Sequence, residues 1–241
     1  MRMFLITYFL LLTVVARAQA GNLCKATVHY KDVLKNERFI IPHVVMANKK
    51  VQSAINAQLL PENYTALSIE GIRQQEAGHI EDTDANRISE IDPEVKYNAN
   101  CILSMHMEVT EEAVIISASE GTYPISHNYL TFDLATGRQL HIADIIRKDK
   151  IKFLLQKLNK KLDRNYEITR IEYEGTYNVN GYSGYEFTVE DLDRFYFTRQ
   201  GISFHYDFHF MRCDKAFEPN GIINLTNAEL KPLVTNLKYI R

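Results

Sequence analysis

The stretch Tyr129-Leu130-Thr131-Phe132-Asp133-Leu134-Ala135-Thr136-Gly137-Arg138-Gln139-Leu140 constrains the fold of this chain more than any other. Tyr129 to Leu134 alternates bulky and polar positions at the strand period, and Asp133 to Gly137 forms a turn in which glycine can take a positive φ. Leu140 and Ile142 resume the alternation, and Asp144 reads as the N-cap of a following helix because its carboxylate can accept from free backbone amides. Strand, tight turn, short strand and capped helix is the expected order. Asp133 and Gly137 are turn builders, so chemistry is expected in the loops beside this motif.

The remaining pattern alternates hairpins with separate helices. Residues 26–33 and 37–45 read as an N-terminal hairpin, and Val51, Ala54, Ile55 and Leu59 recur at helical spacing within 47–60, which Pro61 ends. A second helix is expected over 66–75, followed by a polar, acidic connection over 78–100. Leu103, Met105, Met107 and Val109 then share one strand face, with Ser104, His106 and Glu108 on the other, before a turn at Glu111-Glu112 and a partner strand over 113–119. Ile151, Leu154, Leu155, Leu158 and Leu162 mark a helix whose lysines form the solvated face. A short capped helix at 188–192, strands at 195–197 and 202–210, a strand at 221–225 and a helix at 227–237 that Pro232 can interrupt complete the chain. This order specifies an α+β fold, an antiparallel sheet built from hairpins with several packed helices.

Arg2, the apolar run Met3 to Ala16 and Ala18-Gln19-Ala20 have the form of a secretory signal peptide, so residues 1–20 are expected to be removed on export. The run is shorter than the ~20 residues a membrane-spanning helix needs. Removal takes Arg2 and Arg17 from 28 basic residues set against 30 acidic ones, and the formal charge moves from −2 to −4. Such a balance argues against nucleic acid as a partner. Cys24, Cys101 and Cys213 are the disulfide candidates in an exported chain; one bridge leaves one thiol over, and the pairing is open.

Few residues carry recognisable chemistry. His205, Asp207 and His209 share one face of the expected strand, where two imidazoles and a carboxylate could hold zinc with an open position; His106 and Glu108 on another strand could complete that site. The alternative is a solvent-facing flank opposite Phe204, Tyr206, Phe208 and Phe210. Asp82-Thr83-Asp84 imitates the start of a calcium loop, but Arg87 and Pro93 stand where glycine and a bidentate glutamate are needed. No nucleophile elbow, zincin or phosphate-loop motif occurs. Tyr166, Tyr173, Tyr177, Tyr182 and Tyr185 cluster in a segment rich in Asn and Gly; they suit a sugar or protein surface, or serve as half-buried strand residues. The candidate ligand contacts are Tyr123, His127, Tyr173, Tyr177, Tyr182 and Tyr185.

Several of these pieces together resemble the extracellular domain, of unknown function, shared by RsiV-type anti-sigma factors and PdaC-type peptidoglycan deacetylases. They are Ser53-Ala54-Ile55-Asn56 after Ile41-Pro42, Ile102-Leu103-Ser104, Phe132 to Gly137 with Asp144-Ile145, Phe187 to Leu192, Phe195-Tyr196-Phe197, Gly201 to Phe204, Tyr206-Asp207 and Leu225 to Leu230. Two loops depart from that pattern, at Glu120 to His127 and at Arg212 to Gly221. The resemblance implies a PdaC-like part over 21–110 and an RsiV-like part over 111–241, forming one unit. It also implies a periplasmic or extracellular binding module of the bacterial envelope, without catalytic residues or cofactor. The expected partner is a peptidoglycan-type glycan or a secreted protein such as lysozyme. A metal-dependent envelope hydrolase is the alternative.

Overall fold

The computed structural model describes residues 24–32, 40–59, 87–112, 125–174, 185–208 and 216–240. The leader, the expected helix over 66–75 and the strand over 113–119 lie outside them, as do Tyr123, Tyr177, Tyr182, His209 and Cys213.

Strands β1 (Ala26–Asp32) and β2 (Ile40–Met46) form the antiparallel hairpin, in register from Ala26↔Met46 to Asp32↔Ile40. Helix α1 (Lys49–Asn56) begins where the Asn48 carboxamide oxygen accepts from the Lys50 and Val51 amides, and it buries Val51 and Ile55. Its polar residues settle the free edge of β2. Asn56 accepts from the Val44 amide at 2.8 Å and donates to the Val44 carbonyl at 2.9 Å, while Gln52 accepts from the Met46 amide at 3.0 Å. An edge that would otherwise invite another strand is thereby closed.

Strands β3 (Arg87–Ala99), β4 (Ile102–Glu112), β5 (Ile125–Asp133) and β6 (Arg138–Gln139) make a four-stranded antiparallel sheet in that order. Two expectations are corrected here. The polar connection over 78–100 becomes a thirteen-residue strand from Arg87, because a strand with one face on the core needs only Ile91 and Val95 inward while Glu90, Asp92 and Glu94 point away. Pro93 is tolerated because β3 is the sheet's edge. Glu111 and Glu112 extend β4 instead of forming a turn. The turn into β4 is Asn100-Cys101, both at positive φ (51° and 59°), and Cys101 is disulfide-bonded to Cys24 across 77 residues. Closing a loop of that length removes roughly 4 kcal/mol of unfolded-chain entropy.

Leu103, Met105, Phe132 and Leu134 join Val44, Met46, Val51, Ile55 and Leu59 in one core beneath this sheet. Gly137, at φ +78°, closes the turn after β5 against α1: a Cβ there would stand 3.2 Å from the Val51 carbonyl and from the Ala54 Cβ. Asp144 is not the N-cap. It lies third in a short helix, α2 (Ile142–Ile145), whose N-cap is His141, and its carboxylate reaches back to the His141 amide at 3.0 Å while receiving Arg138. Asp193 accepts the Ile142 amide at 2.8 Å, so a distant turn satisfies the helix start that Asp144 was expected to cap.

Helix α3 (Ile151–Glu172) buries Leu154, Leu158 and Leu162 as expected, but runs on past them and buries Tyr166 and Thr169. Strands β7 (Phe195–Phe197), β8 (Gly201–His205) and β9 (Ile222–Thr226) form a second antiparallel sheet. Their Phe195, Phe197, Ile202, Phe204, Ile223 and Leu225 share a second core with α3. A four-residue helix, α4 (Asn227–Leu230), is capped by Thr226 and stops two residues before Pro232. Ser104 and Thr131, both buried, join their hydroxyls at 2.8 Å on the face of the first sheet turned away from α1. The Phe197 amide donates to the same Ser104 Oγ at 3.1 Å, tying β7 to that face. These antiparallel sheets with packed helices are the α+β fold read from the sequence.

Candidate functional site

His106 stands one strand step along from Ser104, on the face that β7 covers. Directly opposite His106 in register is Tyr129, and opposite Glu108 is His127, so two rows of polar side chains cross from β4 to β5. On the other side β3 adds Glu94 opposite His106 and Asp92 opposite Glu108. From the second sheet come Tyr196 of β7 and His205, the last residue of β8. The rings pack as a seam: His106 and Tyr129 stack at 4.8 Å, His106 and His127 at 5.2 Å, Tyr129 and Tyr196 at 6.1 Å, and His205 meets His127 edge-on at 5.2 Å. All five rings are half-buried. Lys96 lies 5.6 Å from the centre of the Tyr196 ring.

Hydrogen bonds run between ring edges. Tyr129 Oη and His205 Nδ1 are 2.7 Å apart, and His106 Nε2 and His127 Nδ1 are 3.1 Å apart. Burial, with His127 and Lys96 adding to it, lowers the His106 pKa to about 4. His205 is likewise lowered to about 4, by burial first and His127 second. Burial and Tyr196 push the Tyr129 phenol well above its usual value. Near neutral pH the seam therefore presents uncharged imidazoles at His106 and His205 and an intact phenol, a set suited to exchanging hydrogen bonds with neutral polar groups. Glu108, 3.9 Å from His127 Nδ1, and Lys96 supply charge at its rim.

The structure brings His127 and His205 together with His106, which the sequence had placed only on a separate strand. The expected strand over 202–210 ends at His205, so Asp207 lies beyond β8; its carboxylate still acts on His205 and Tyr129. His205 does not lie on an open flank, because the first sheet faces it. Among the described residues no group of three or more His, Cys, Asp or Glu side chains is arranged to hold a metal ion. Tyr173, at the end of α3, sits edge-on to Phe217 at 4.9 Å, and Tyr185 packs on Tyr166 at 4.3 Å and on Phe208 at 5.6 Å. Tyr166 is a helix core residue, since α3 extends past the aliphatic stripe that marked its end in the sequence. Tyr129 and Tyr196 were missed as site residues; the only signals were that Tyr196 lies between the buried Phe195 and Phe197 and that Tyr129 precedes Leu130, which packs on the core beneath the sheet.

No family model matches the chain, and no curated protein matches it. Among solved structures the chain is similar to a DUF3298-family protein of Pseudomonas aeruginosa, with a TM-score of 0.56 and 11% identity over 90% of this chain and 94% of that one. It is also similar to a DUF3298-family member from Bacteroides fragilis, with a TM-score of 0.46 and 11% identity over 88% of this chain and 92% of that one. The likeness to the Pseudomonas protein makes the architecture one found in the DUF3298 family, a family of unknown function; at this identity no residue role passes to this chain.

Proposed function

We propose that this chain is an exported binding module of the bacterial envelope, of the RsiV- and PdaC-like kind, and that it holds a peptidoglycan-type glycan at the imidazole and tyrosine seam. The observation that carries the reading is the seam itself: His106, His127, Tyr129, Tyr196 and His205 place polar ring edges in one half-buried line across two sheets. Hydroxyls and acetamido groups of an amino-sugar chain are neutral donors and acceptors of the kind such edges pair with. Export is supported by the leader and by the Cys24–Cys101 bridge, which suits an oxidising compartment.

The test is retention on insoluble peptidoglycan and, separately, on immobilised lysozyme, with wild type and His127→Ala and Tyr196→Ala variants. Retention on the glycan that falls about tenfold in both variants is the expected result, equivalent to roughly 1.4 kcal/mol. Binding to lysozyme alone moves the module to a protein partner. A folded protein that binds neither removes both ligands.

A metal-dependent envelope hydrolase using His205, Asp207 and His209 is the alternative reading, and the described residues group no three His, Cys, Asp or Glu side chains to hold a metal ion. It requires that zinc raise the melting temperature of tag-free protein by several degrees, and that His205→Ala abolish the rise.

A further inference from the structure

Helix α3 turns its Leu154, Leu158 and Leu162 side into the second core, so its opposite side faces away from the protein. Along that side, at spacings of three and four residues, stand Phe153, Lys157, Lys160, Arg164, Ile168 and Ile171. Phe153, Ile168 and Ile171 are among the most exposed large apolar side chains described, at 47%, 54% and 61%. Lys157 lies over the Phe153 ring at 5.2 Å, and Lys160 and Arg164 are exposed between the two apolar ends. Glu167, on the same side, is drawn off by Arg170 at 2.9 Å. From Phe153 to Ile171 the row spans about 27 Å at the helical rise, long enough to lie along a flat surface.

From this face we infer that α3 docks the protein on an anionic lipid bilayer, its three cations among the phosphates and its apolar ends in the interfacial layer. Charge complementarity selects the occupant. The whole chain carries a formal charge of −2, yet three cations follow one another along this row; the carboxylate beside them, Glu167, is paired with Arg170, and the exposed Asp163 and Glu172 each stand one position off the row. Basic residues alone would suit any polyanion, but exposed Phe and Ile at both ends gain only where apolar surface can leave water, as at an acyl boundary. The inference does not depend on the glycan reading, because the seam and α3 contribute separate side chains.

Sedimentation with vesicles tests it, using phosphatidylcholine alone and an equimolar mixture with phosphatidylglycerol. The protein is expected to bind only the anionic vesicles and to be released by high salt. Replacing Lys157, Lys160 and Arg164 with Gln is expected to weaken binding about a hundredfold, at the contribution of each basic residue near such a surface. Replacing Phe153, Ile168 and Ile171 with Ser is expected to weaken it about tenfold at unchanged charge. Where either triple variant fails to fold, Lys160→Gln and Phe153→Ser serve in its place, each with its melting temperature checked. Equal binding to both vesicles, binding to neither, or wild-type binding by the Gln variant overturns the inference. So does wild-type binding by the Ser variant, which would make a soluble polyanion the occupant.

Discussion

Acidification should loosen the seam before it disturbs the rest of the protein. His106 and His205 fall from 6.5 to about 4 in the folded state, so each folded imidazole binds a proton less readily than its unfolded counterpart. Their contribution to stability is complete above pH 6.5 and is lost as the pH drops towards 4, because the unfolded chain takes up protons that the folded chain resists. Lys96, Arg194 and His127 act with burial in this direction; Asp92, Glu94 and Asp207 oppose it and are outweighed. A fall of this size corresponds to roughly 3 kcal/mol per imidazole at full value. Both rings still meet solvent, so about half is the better figure, or roughly 3 kcal/mol for the two together. Urea unfolding measured at intervals between pH 7.5 and 4.5 should show that loss, and a His106→Gln/His205→Gln variant should flatten the curve. Glu229, lowered to about 2 and held by Thr226 and Lys161, stabilises above pH 4.5 and fails only below it, so the window isolates the imidazoles. A curve flat to within about 0.5 kcal/mol from pH 6.5 to 4.5, or an unchanged slope in the double variant, would refute the argument.

Two substitutions test how the sheets are held. Ser104→Ala removes the hydroxyl that Thr131 and the Phe197 amide share and leaves that buried amide unpaired, for an expected loss of about 2 kcal/mol in urea unfolding; a loss under about 0.5 would mean that β7 is anchored elsewhere. Gly137→Ala forces a side chain into left-handed backbone and against α1, and should cost about 2 kcal/mol and lower the melting temperature by several degrees; an unchanged temperature would mean that the turn is free to move away from Val51 and Ala54.

What was legible in the sequence was what neighbours in the chain determine. The alternation around Thr131 and Phe132, the glycine at 137 and the aliphatic row of α3 each report a local geometry, and each recurs in the structure. The strand from Arg87 was hidden because its outward residues are acidic and its inward ones few, so it resembled a connection until β4 paired with it. Tyr166 was hidden because an aromatic side chain continues a helix face without repeating the Leu pattern that announced it. The function of Asn56 was invisible for a different reason. Its carboxamide is spent on the edge of β2, twelve residues away in the chain, and no local period reports such a bond.

The seam shows how strictly the signature strand governs what lies beyond it. Alternate residues of β5 divide between two environments: Leu130 and Phe132 face the core shared with α1, while His127, Tyr129 and Thr131 face the second sheet. In sequence, His106 and Glu108 looked like the polar side of a half-buried sheet, and so they are; but β7 and β8, about ninety residues later, cover part of that side. A slip of β5 by one residue against β4 would carry Phe132 out of its core and Tyr129 away from both His205 and Tyr196. The pairing that buries Phe132 therefore also brings the Tyr129 hydroxyl to His205. Strengthening the core by fixing register and positioning the seam are one physical act here, which places the first residue of the most constraining motif inside the candidate site instead of beside it.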